Sequence, residues 1–114
     1  MDRRVAVTLA VLTEEWRIDH RVADLAAAVN LAPSRLQHLF KSDVRMSIRQ
    51  HVQQRRLTEA ARLIATTHLR ISEIVYYVGF RDVSNFNHAF RRTFGVAPGE
   101  YRRAAALPIA KKQD

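Results

Sequence analysis

The 114-residue chain contains no cysteine and only three glycines and three prolines. Without cysteine it can form no disulfide, no thiolate metal site and no cysteine nucleophile, a composition compatible with a reducing compartment. So few glycines and prolines leave too few turn-forming residues for a β-sandwich, a β-barrel or a largely disordered chain. The sequence therefore predicts an all-α protein.

The chain also lacks long hydrophobic runs. None approaches the roughly 18 to 20 residues that a membrane-spanning helix needs. The short apolar stretch 5–12 has neither the long core nor the small-residue cleavage site of a secretory signal. We therefore expect a cytoplasmic protein with no membrane partner. Its length suits one domain, or two very small ones that share an element.

Acidic residues are scarce, since 11 Asp and Glu stand against 19 Lys and Arg and the formal net charge is +8. Residues 1–30 hold four basic and five acidic residues, whereas residues 31–114 hold 15 basic and six acidic residues. A strong basic excess favours a polyanionic partner such as nucleic acid. We expect the anion-binding surface to lie after residue 30.

Apolar spacing, caps and helix breakers divide the chain into seven helical segments. The first carries the apolar stripe Val5, Leu9, Leu12 and Trp16. The third begins at Pro33 and Ser34, and we expect the Ser34 hydroxyl to accept an amide hydrogen bond. The others are 22–29, 47–67 with Ser47 and Gln50 in capping-box spacing, 71–78, 83–94, and a last helix that starts at Pro98 and fades after Arg103.

One motif occurs twice in the chain. A shift of 49 residues places Leu25 on Ile74, and a shift of 50 places Leu36 on Phe86, His38 on His88 and Phe40 on Phe90. Two copies are too few for a stacked repeat array, which generally needs three or more units. The repeat therefore predicts two helix-turn-helix lobes, 1–46 and 68–107, joined by a linking helix, 47–67, and followed by a flexible tail, 108–114.

The second helix of each repeat has one apolar face and one polar face. At about 100° per residue, Leu36, Leu39 and Phe40 share one side, as Phe86, Ala89 and Phe90 do in the second copy. The opposite sides carry side chains of the kind that read base edges or contact phosphates in a major groove. These are Ser34, Gln37, His38 and Lys41 in the first copy and Ser84, Asn87, His88 and Arg91 in the second, with Asn85 and Arg92 on the flank.

The linking helix sets the distance between the two copies. About 20 residues give a helix of roughly 30 Å, and successive major-groove faces on one side of B-DNA recur about every 34 Å. We therefore expect a monomer to place both recognition helices in adjacent major-groove segments, at a site that need not be palindromic.

With these features the sequence resembles the DNA-binding domain of the AraC/XylS family of bacterial transcription regulators, over about residues 5–103. The match is strongest in Val78-Gly79-Phe80, Phe90-Arg91 and Gly95-Val96-Ala97-Pro98, and the first copy adds Pro33-Ser34 and Leu39-Phe40-Lys41. The resemblance implies a seven-helix, two-lobed domain that binds double-stranded promoter DNA in the bacterial cytoplasm, at the nucleoid. It also implies transcription activation through contact with RNA polymerase.

The resemblance also assigns contacts to individual residues. His38 and His88 stand where the family often has Arg, which shortens the reach toward guanine and favours weaker or pH-sensitive readout. Arg45 stands where the family usually has Gly, and a left-handed conformation there would cost of order 1 kcal/mol. The base contacts that the resemblance implies are Ser34, Gln37, His38, Val83, Ser84, Asn85 and His88. Separately from the resemblance, the residues themselves predict contacts with the DNA backbone at Arg21, Arg35, Lys41, Arg70, Asn87, Arg91 and Arg92.

Arg21 and Arg70 are equivalent in the repeat and precede the first helix of each copy, where Ser or Thr caps are common. A lost cap costs about 1 kcal/mol, and a cation at a helix N-terminus opposes the dipole. Either both arginines clamp phosphates, which would offset these costs, or both are simply solvated. Arg55, Arg56 and Arg62 of the linking helix have similar alternatives: solvation or pairing with acids such as Glu59, or contact with phosphate or polymerase.

Other functions find little support in the sequence. The five histidines lack metal-ligand spacing, and there is no nucleophile elbow or phosphate-cradling glycine loop, so we expect no metal, no cofactor and no enzyme activity. The five phenylalanines are predicted to be core anchors. Two alternatives stay open, a nonspecific architectural DNA-binding protein and a small helical protein-interaction module. Because Met1 leads directly into the first helix, we expect a stand-alone regulator, with a fragment of a longer protein as the alternative.

Overall fold

The computed structural model describes the backbone of residues 1–113 and the side chains of residues 1–106. Over this part of the chain it contains seven α-helices and no strand, which confirms the predicted fold class. The helices are α1 (Arg3–Glu14), α2 (Val22–Ala28), α3 (Pro33–Val44), α4 (Ile48–Thr66), α5 (Ile71–Tyr77), α6 (Val83–Phe94) and α7 (Pro98–Gln113).

The chain forms two compact units, Met1–Arg55 and Arg56–Asp114. The boundary between them falls inside α4, within the segment 47–67 that the sequence assigns to the linking helix. At the start of α4, the Ser47 and Gln50 side chains each accept the other residue's backbone N–H, at 3.0 and 2.9 Å, which confirms the capping box. None of the helices described is long and apolar enough to cross a membrane.

The first unit begins with a capped helix that is tied to α3. Asp2 is the N-cap of α1, and its side chain accepts the backbone N–H of Arg4 at 2.8 Å. Hydrogen bonds from the side chain and backbone of Arg4 lower the pKa of the Asp2 carboxyl to about 2. The Asp2 backbone N–H donates to Asp43 Oδ2 at 2.8 Å, so the start of α1 is fixed against the last turn of α3.

The core of the first unit is mainly aliphatic. Its largest buried side chain is Phe40 of α3, whose ring meets the half-buried His51 of α4 edge to face, with 5.9 Å between ring centroids. The other buried residues of this cluster come from α1, α2, α3 and the start of α4: Val5, Leu12, Leu25, Ala26, Leu36 and Ile48. Trp16, which the sequence places on the α1 stripe, follows the end of that helix and is half-buried.

The core of the second unit combines aliphatic residues with a cluster of aromatic rings. Phe86 and Phe90 of α6 are completely buried, whereas Phe80 and Phe94 are half-buried. Phe90 also meets Tyr101 of α7 edge to face, with 5.4 Å between centroids. Phe40–His51 and Phe90–Tyr101 are therefore the same contact in the two copies of the repeat, because both pairs are related by 50 residues.

Helix α7 extends further than the sequence predicts, since it continues past Arg103 to Gln113. Arg102 accounts for part of its anchoring, because its guanidinium donates to the carbonyl oxygens of Ile64 at 3.0 Å and Leu69 at 2.7 Å. These carbonyls belong to the end of α4 and the loop before α5. The expected flexible tail, 108–114, falls outside the residues whose side chains are described and stays a prediction.

Candidate nucleic-acid interface

The tight turns before α3 and α6 have the same backbone hydrogen bonds. In the first, Asn30 adopts φ +58° and the Leu31 N–H donates to the carbonyl of Ala26 at 3.0 Å. In the second, Gly79 adopts φ +106° and the Phe80 N–H donates to Val75, also at 3.0 Å. Both are Schellman endings, in which a left-handed residue lets the chain reverse sharply after a helix.

These turns place α3 and α6 with one face in the core. Leu36 and Phe40 of α3 are completely buried. Phe86 and Phe90 of α6 are buried to the same degree, and Ala89 beside them is 6% exposed. The apolar faces predicted from the sequence are therefore the packed ones, and the polar faces of both helices point to solvent.

The structure leaves nearly all the sequence-predicted contact residues exposed; the exception is Val83, which is half-buried at the start of α6. We define the candidate interface as two surfaces, one in each unit: the exposed polar face of α3 with the N-cap arginine of α2, and the exposed polar face of α6 with the N-cap arginine of α5. Its exposed members are Ser34, Arg35, Gln37, His38 and Lys41 on α3, Ser84, Asn85, Asn87, His88, Arg91 and Arg92 on α6, and Arg21 and Arg70.

Helices α3 and α6 begin differently. Asp82 is the N-cap of α6, and its carboxylate accepts the Asn85 backbone N–H at 3.0 Å. The N-cap of α3 is Ala32, which has no side-chain acceptor. The prediction that the Ser34 hydroxyl caps α3 is therefore wrong: Ser34 is the second residue of the helix, one position after Pro33, and no side-chain cap bond forms.

Arg21 and Arg70 are the N-cap residues of α2 and α5, in extended conformations with ψ of 134° and 145°. Neither makes a side-chain cap hydrogen bond, because a guanidinium has no acceptor. At α5 the Glu73 side chain compensates in part, since it accepts the Arg70 backbone N–H at 3.0 Å. Both arginine side chains are exposed, which leaves them able to meet a phosphate.

The turn after each recognition helix is also left-handed. Arg45 has φ +69° after α3, and Gly95 has φ +81° after α6. In both turns the N–H of this residue donates to the carbonyl four residues back, Lys41 or Arg91. Arg45 therefore adopts the left-handed conformation for which strain was expected. This backbone strain costs about 1 to 2 kcal/mol, a cost that Gly95 does not have.

The three arginines singled out on the linking helix have three different environments. Arg62 pairs with Glu59 at 3.1 Å, as one of the two alternatives predicted. The guanidinium of Arg55 lies 5.9 Å from the centroid of the Trp16 ring, a cation–π distance, and its Nε is buried without a hydrogen-bond partner among the described residues.

Arg56 is not solvated, which was one of the alternatives predicted for it. It is only 9% exposed, and its Nη1 donates to the carbonyl oxygen of Gly79 at 3.1 Å. A β-carbon on Gly79 would stand 2.7 Å from Arg56 Cζ, so the guanidinium uses the space that glycine leaves. Arg56 thus supports the turn that positions α6. The repeat gives no signal for this role, because the contact joins residues 23 positions apart.

No group of three or more His, Asp or Glu side chains that could hold a metal is present among the described residues. The described part of the interface is therefore a surface of amides, hydroxyls, imidazoles and guanidiniums. Such groups donate and accept hydrogen bonds with base edges and phosphate oxygens.

Comparisons with known proteins agree with this geometry. A family model described as a helix-turn-helix domain matches residues 25–104. The chain is 32% identical over 103 residues to the arabinose operon regulatory protein of Salmonella typhimurium, covering 90% of this chain and 37% of that protein. It is 37% identical over 90 residues to the HTH-type transcriptional regulator MtrA of Neisseria gonorrhoeae, covering 79% of this chain and 29% of that protein. The chain thus spans only 37% and 29% of the length of these relatives.

Solved structures give the same result. The DNA-binding domain of AdpA, a global transcriptional factor in complex with a target DNA, has a TM-score of 0.84 and 25% identity, over 94% of this chain and 96% of that chain. The C-terminal domain of AraT, a response regulator from Geobacillus stearothermophilus, has a TM-score of 0.82 and 27% identity, over 90% of this chain and 86% of that chain.

Proposed function

Because this chain belongs to the AraC/XylS family of helix-turn-helix transcriptional regulators and carries its DNA-binding domain, we propose that α3 and α6 each enter a major groove of promoter DNA. The observation that carries the proposal is the duplicated turn. Two helices, each preceded by the same hydrogen-bonded reversal and buried along one face, present exposed polar side chains on the other. The DNA complex of the similar AdpA domain supports double-stranded DNA as the partner.

Base reading is assigned to the exposed residues nearest the start of each recognition helix. In α6 these are Ser84, Asn85 and His88, with Val83 available for apolar contact with a thymine methyl group. In α3 they are Ser34, Gln37 and His38. Asn and Gln suit bidentate contact with adenine, whereas His offers one directed hydrogen bond to a purine.

Phosphate contact is assigned to the cations and amides that flank these readers. Arg35 and Lys41 serve α3, and Asn87, Arg91 and Arg92 serve α6. Arg21 and Arg70 extend the phosphate contacts to the starts of α2 and α5, which explains why both repeats place Arg where a cap would stabilise the helix.

Several wider properties follow from the proposal. The chain acts as a monomer on a non-palindromic site, because α3 and α6 differ in their exposed residues. Its lobes, 1–46 and 68–107, are joined by 47–67. Binding occurs in the bacterial cytoplasm, at the nucleoid, and activation proceeds through contact with RNA polymerase. No catalytic step is part of this function.

The specificity of binding is tested by selecting bound sequences from a pool of random DNA duplexes and footprinting the protein on the sequence that is most enriched. We expect protection of two groove segments and a preference over unrelated DNA of roughly 10³-fold or more. The variant N85A should lose about 1 to 3 kcal/mol of binding free energy and discriminate less between bases at one base pair. The control T93A, at another exposed position of α6, should leave the binding free energy and the base preference unchanged. Equal affinity for selected and unrelated DNA would indicate an architectural protein instead.

The phosphate clamps are tested by the salt dependence of binding. We expect R21A and R70A each to lower the slope of log affinity against log salt by about one unit, and to weaken binding equally on all sequences. R62A is the matched control, because Arg62 is already paired with Glu59. A slope that stays at the unsubstituted value in both variants would mean that the two arginines are only solvated.

A further inference from the structure

Three cations surround the turn between α3 and α4. Lys41 lies in the last turn of α3, Arg45 is its C-cap residue, and Arg49 is the second residue of α4. All three side chains are exposed. None makes a hydrogen bond or ion pair with a side chain that the structure describes. We name this set the α3–α4 basic turn.

The acid nearest to these cations in sequence does not neutralise them. Asp43 is half-buried, and its Oδ2 accepts the Asp2 backbone N–H at 2.8 Å. The first turn of α4 contains no acidic residue. The three positive charges therefore face solvent with no carboxylate from residues 41–49 paired to them.

Neither arginine of this turn favours local folding. Arg45 holds a left-handed conformation that suits glycine. Arg49 places a cation in the first turn of a helix, where it opposes the dipole. In the second copy of the repeat, Gly95 and Gly99 occupy the two equivalent positions. Both arginines destabilise the turn locally, and both are positively charged. This indicates that a negatively charged partner outside the chain offsets their cost.

We propose that the α3–α4 basic turn binds phosphates of the DNA backbone, through Arg45 and Arg49 in addition to Lys41. This inference rests on the proposed function, because the turn continues directly from α3 and would flank the groove that α3 enters. Phosphate oxygens suit guanidinium donors whose side chains are exposed and unpaired. Since Gly95 and Gly99 have no charge, the first lobe has two backbone contacts that the second lacks, and it holds DNA with less dependence on base sequence.

The test uses the double variant R45N/R49Q, in which Asn tolerates the left-handed conformation and both charges are removed. Affinity for a selected duplex and for a random-sequence duplex is measured by fluorescence anisotropy across roughly 50 to 200 mM salt. We expect the salt slope to fall by about two and the affinity at 0.1 M salt to fall roughly 10- to 100-fold, equally on both duplexes. The charge-preserving variant R45K/R49K should keep the slope within about half a unit of the unsubstituted protein.

The control is R62Q, which removes one exposed charge that is already paired with Glu59 in the second unit, and it should leave the slope unchanged. Thermal melting followed by circular dichroism should show R45N/R49Q to be at least as stable as the unsubstituted protein. An unchanged slope in R45N/R49Q would overturn this inference while leaving the proposed function intact. A loss confined to the selected duplex would also overturn it, since that would mean base contact. If the unsubstituted protein bound neither duplex, both proposals would fail.

Discussion

Gly79 and Gly95 both hold positive φ, yet the structure predicts very different costs for replacing them with alanine. At Gly95 an added β-carbon meets no atom within 4 Å, so only the left-handed backbone is penalised. That strain is about 1 to 2 kcal/mol, offset in part by the smaller entropy of the unfolded chain. We expect G95A to lower the free energy of unfolding by about 1 kcal/mol. The observed Arg45, at the equivalent position of the first copy, shows that a side chain is accommodated there.

At Gly79 the same substitution has a second consequence. The new β-carbon would stand 2.7 Å from Arg56 Cζ and 2.8 Å from Arg56 Nε, closer than real contacts allow. The guanidinium can move, but it is 9% exposed and donates to Gly79 O, so movement breaks a charged hydrogen bond in a buried site. Such a bond contributes about 1.5 to 3 kcal/mol. Because the lost hydrogen bond adds to the backbone strain, we expect G79A to lower the free energy of unfolding by about 3 kcal/mol.

Urea denaturation followed by far-UV circular dichroism measures both variants. The decisive comparison adds R56M, which removes the guanidinium: in that background G79A should cost only the backbone strain, about 1 kcal/mol. Equal costs for G79A and G95A, or an unchanged cost of G79A in the R56M background, would refute the assignment of Arg56 as the side chain that supports this turn.

Two further predictions concern stability. D82A removes the carboxylate that accepts the Asn85 N–H, and it should lower the free energy of unfolding by about 1 kcal/mol, measured by thermal denaturation, with S84A as a control that leaves the cap in place. The pKa of His51 is lowered from its ordinary value of 6.5, mainly by burial and secondly by the charge of Arg55. The His51 imidazole therefore binds a proton less readily in the folded state than in the unfolded state. The stabilisation from neutral His51 is therefore present above about pH 6.5 and is lost as the pH falls below it. In H51Y, which has the same residue type as the equivalent position Tyr101, the urea concentration at the midpoint of unfolding should depend less on pH between about pH 7.5 and 5.5. The same dependence on pH in H51Y and the unsubstituted protein would contradict this.

Much of the fold could be predicted from the sequence because its signals are local. The boundaries of α6 follow from Asp82, Val83 and Gly95, and the capping box at Ser47 and Gln50 forms as its spacing indicates. The faces of α3 and α6 also follow, since burial on a helix repeats with a fixed period. The structure adds that both reversals use a left-handed residue at equivalent positions of the repeat, Asn30 and Gly79.

The contacts that the sequence missed join distant residues through side chain and backbone. Arg56 donates to Gly79 O, and Arg102 donates to Ile64 O and Leu69 O. A carbonyl acceptor has no residue identity, so no pattern of amino acids marks where such a donor will find it. The Ser34 cap failed for a related reason: Ser is a good N-cap, but Pro33 fixed the first helical position and moved the cap back to Ala32.

The Schellman endings before α3 and α6 separate the residues of each lobe that form the turns from the exposed residues that we propose contact DNA. Their backbone hydrogen bonds join main-chain atoms of residues 26–31 and 75–80, with the buried Arg56 side chain added at Gly79 O, and no exposed side chain of α3 or α6 takes part in these bonds. The exposed residues of α3 and α6 can therefore be exchanged between the helices without disturbing either reversal. Under the proposed function, new target sequences for one lobe would become accessible by substitutions on a single helix, while the other lobe would keep its own preference.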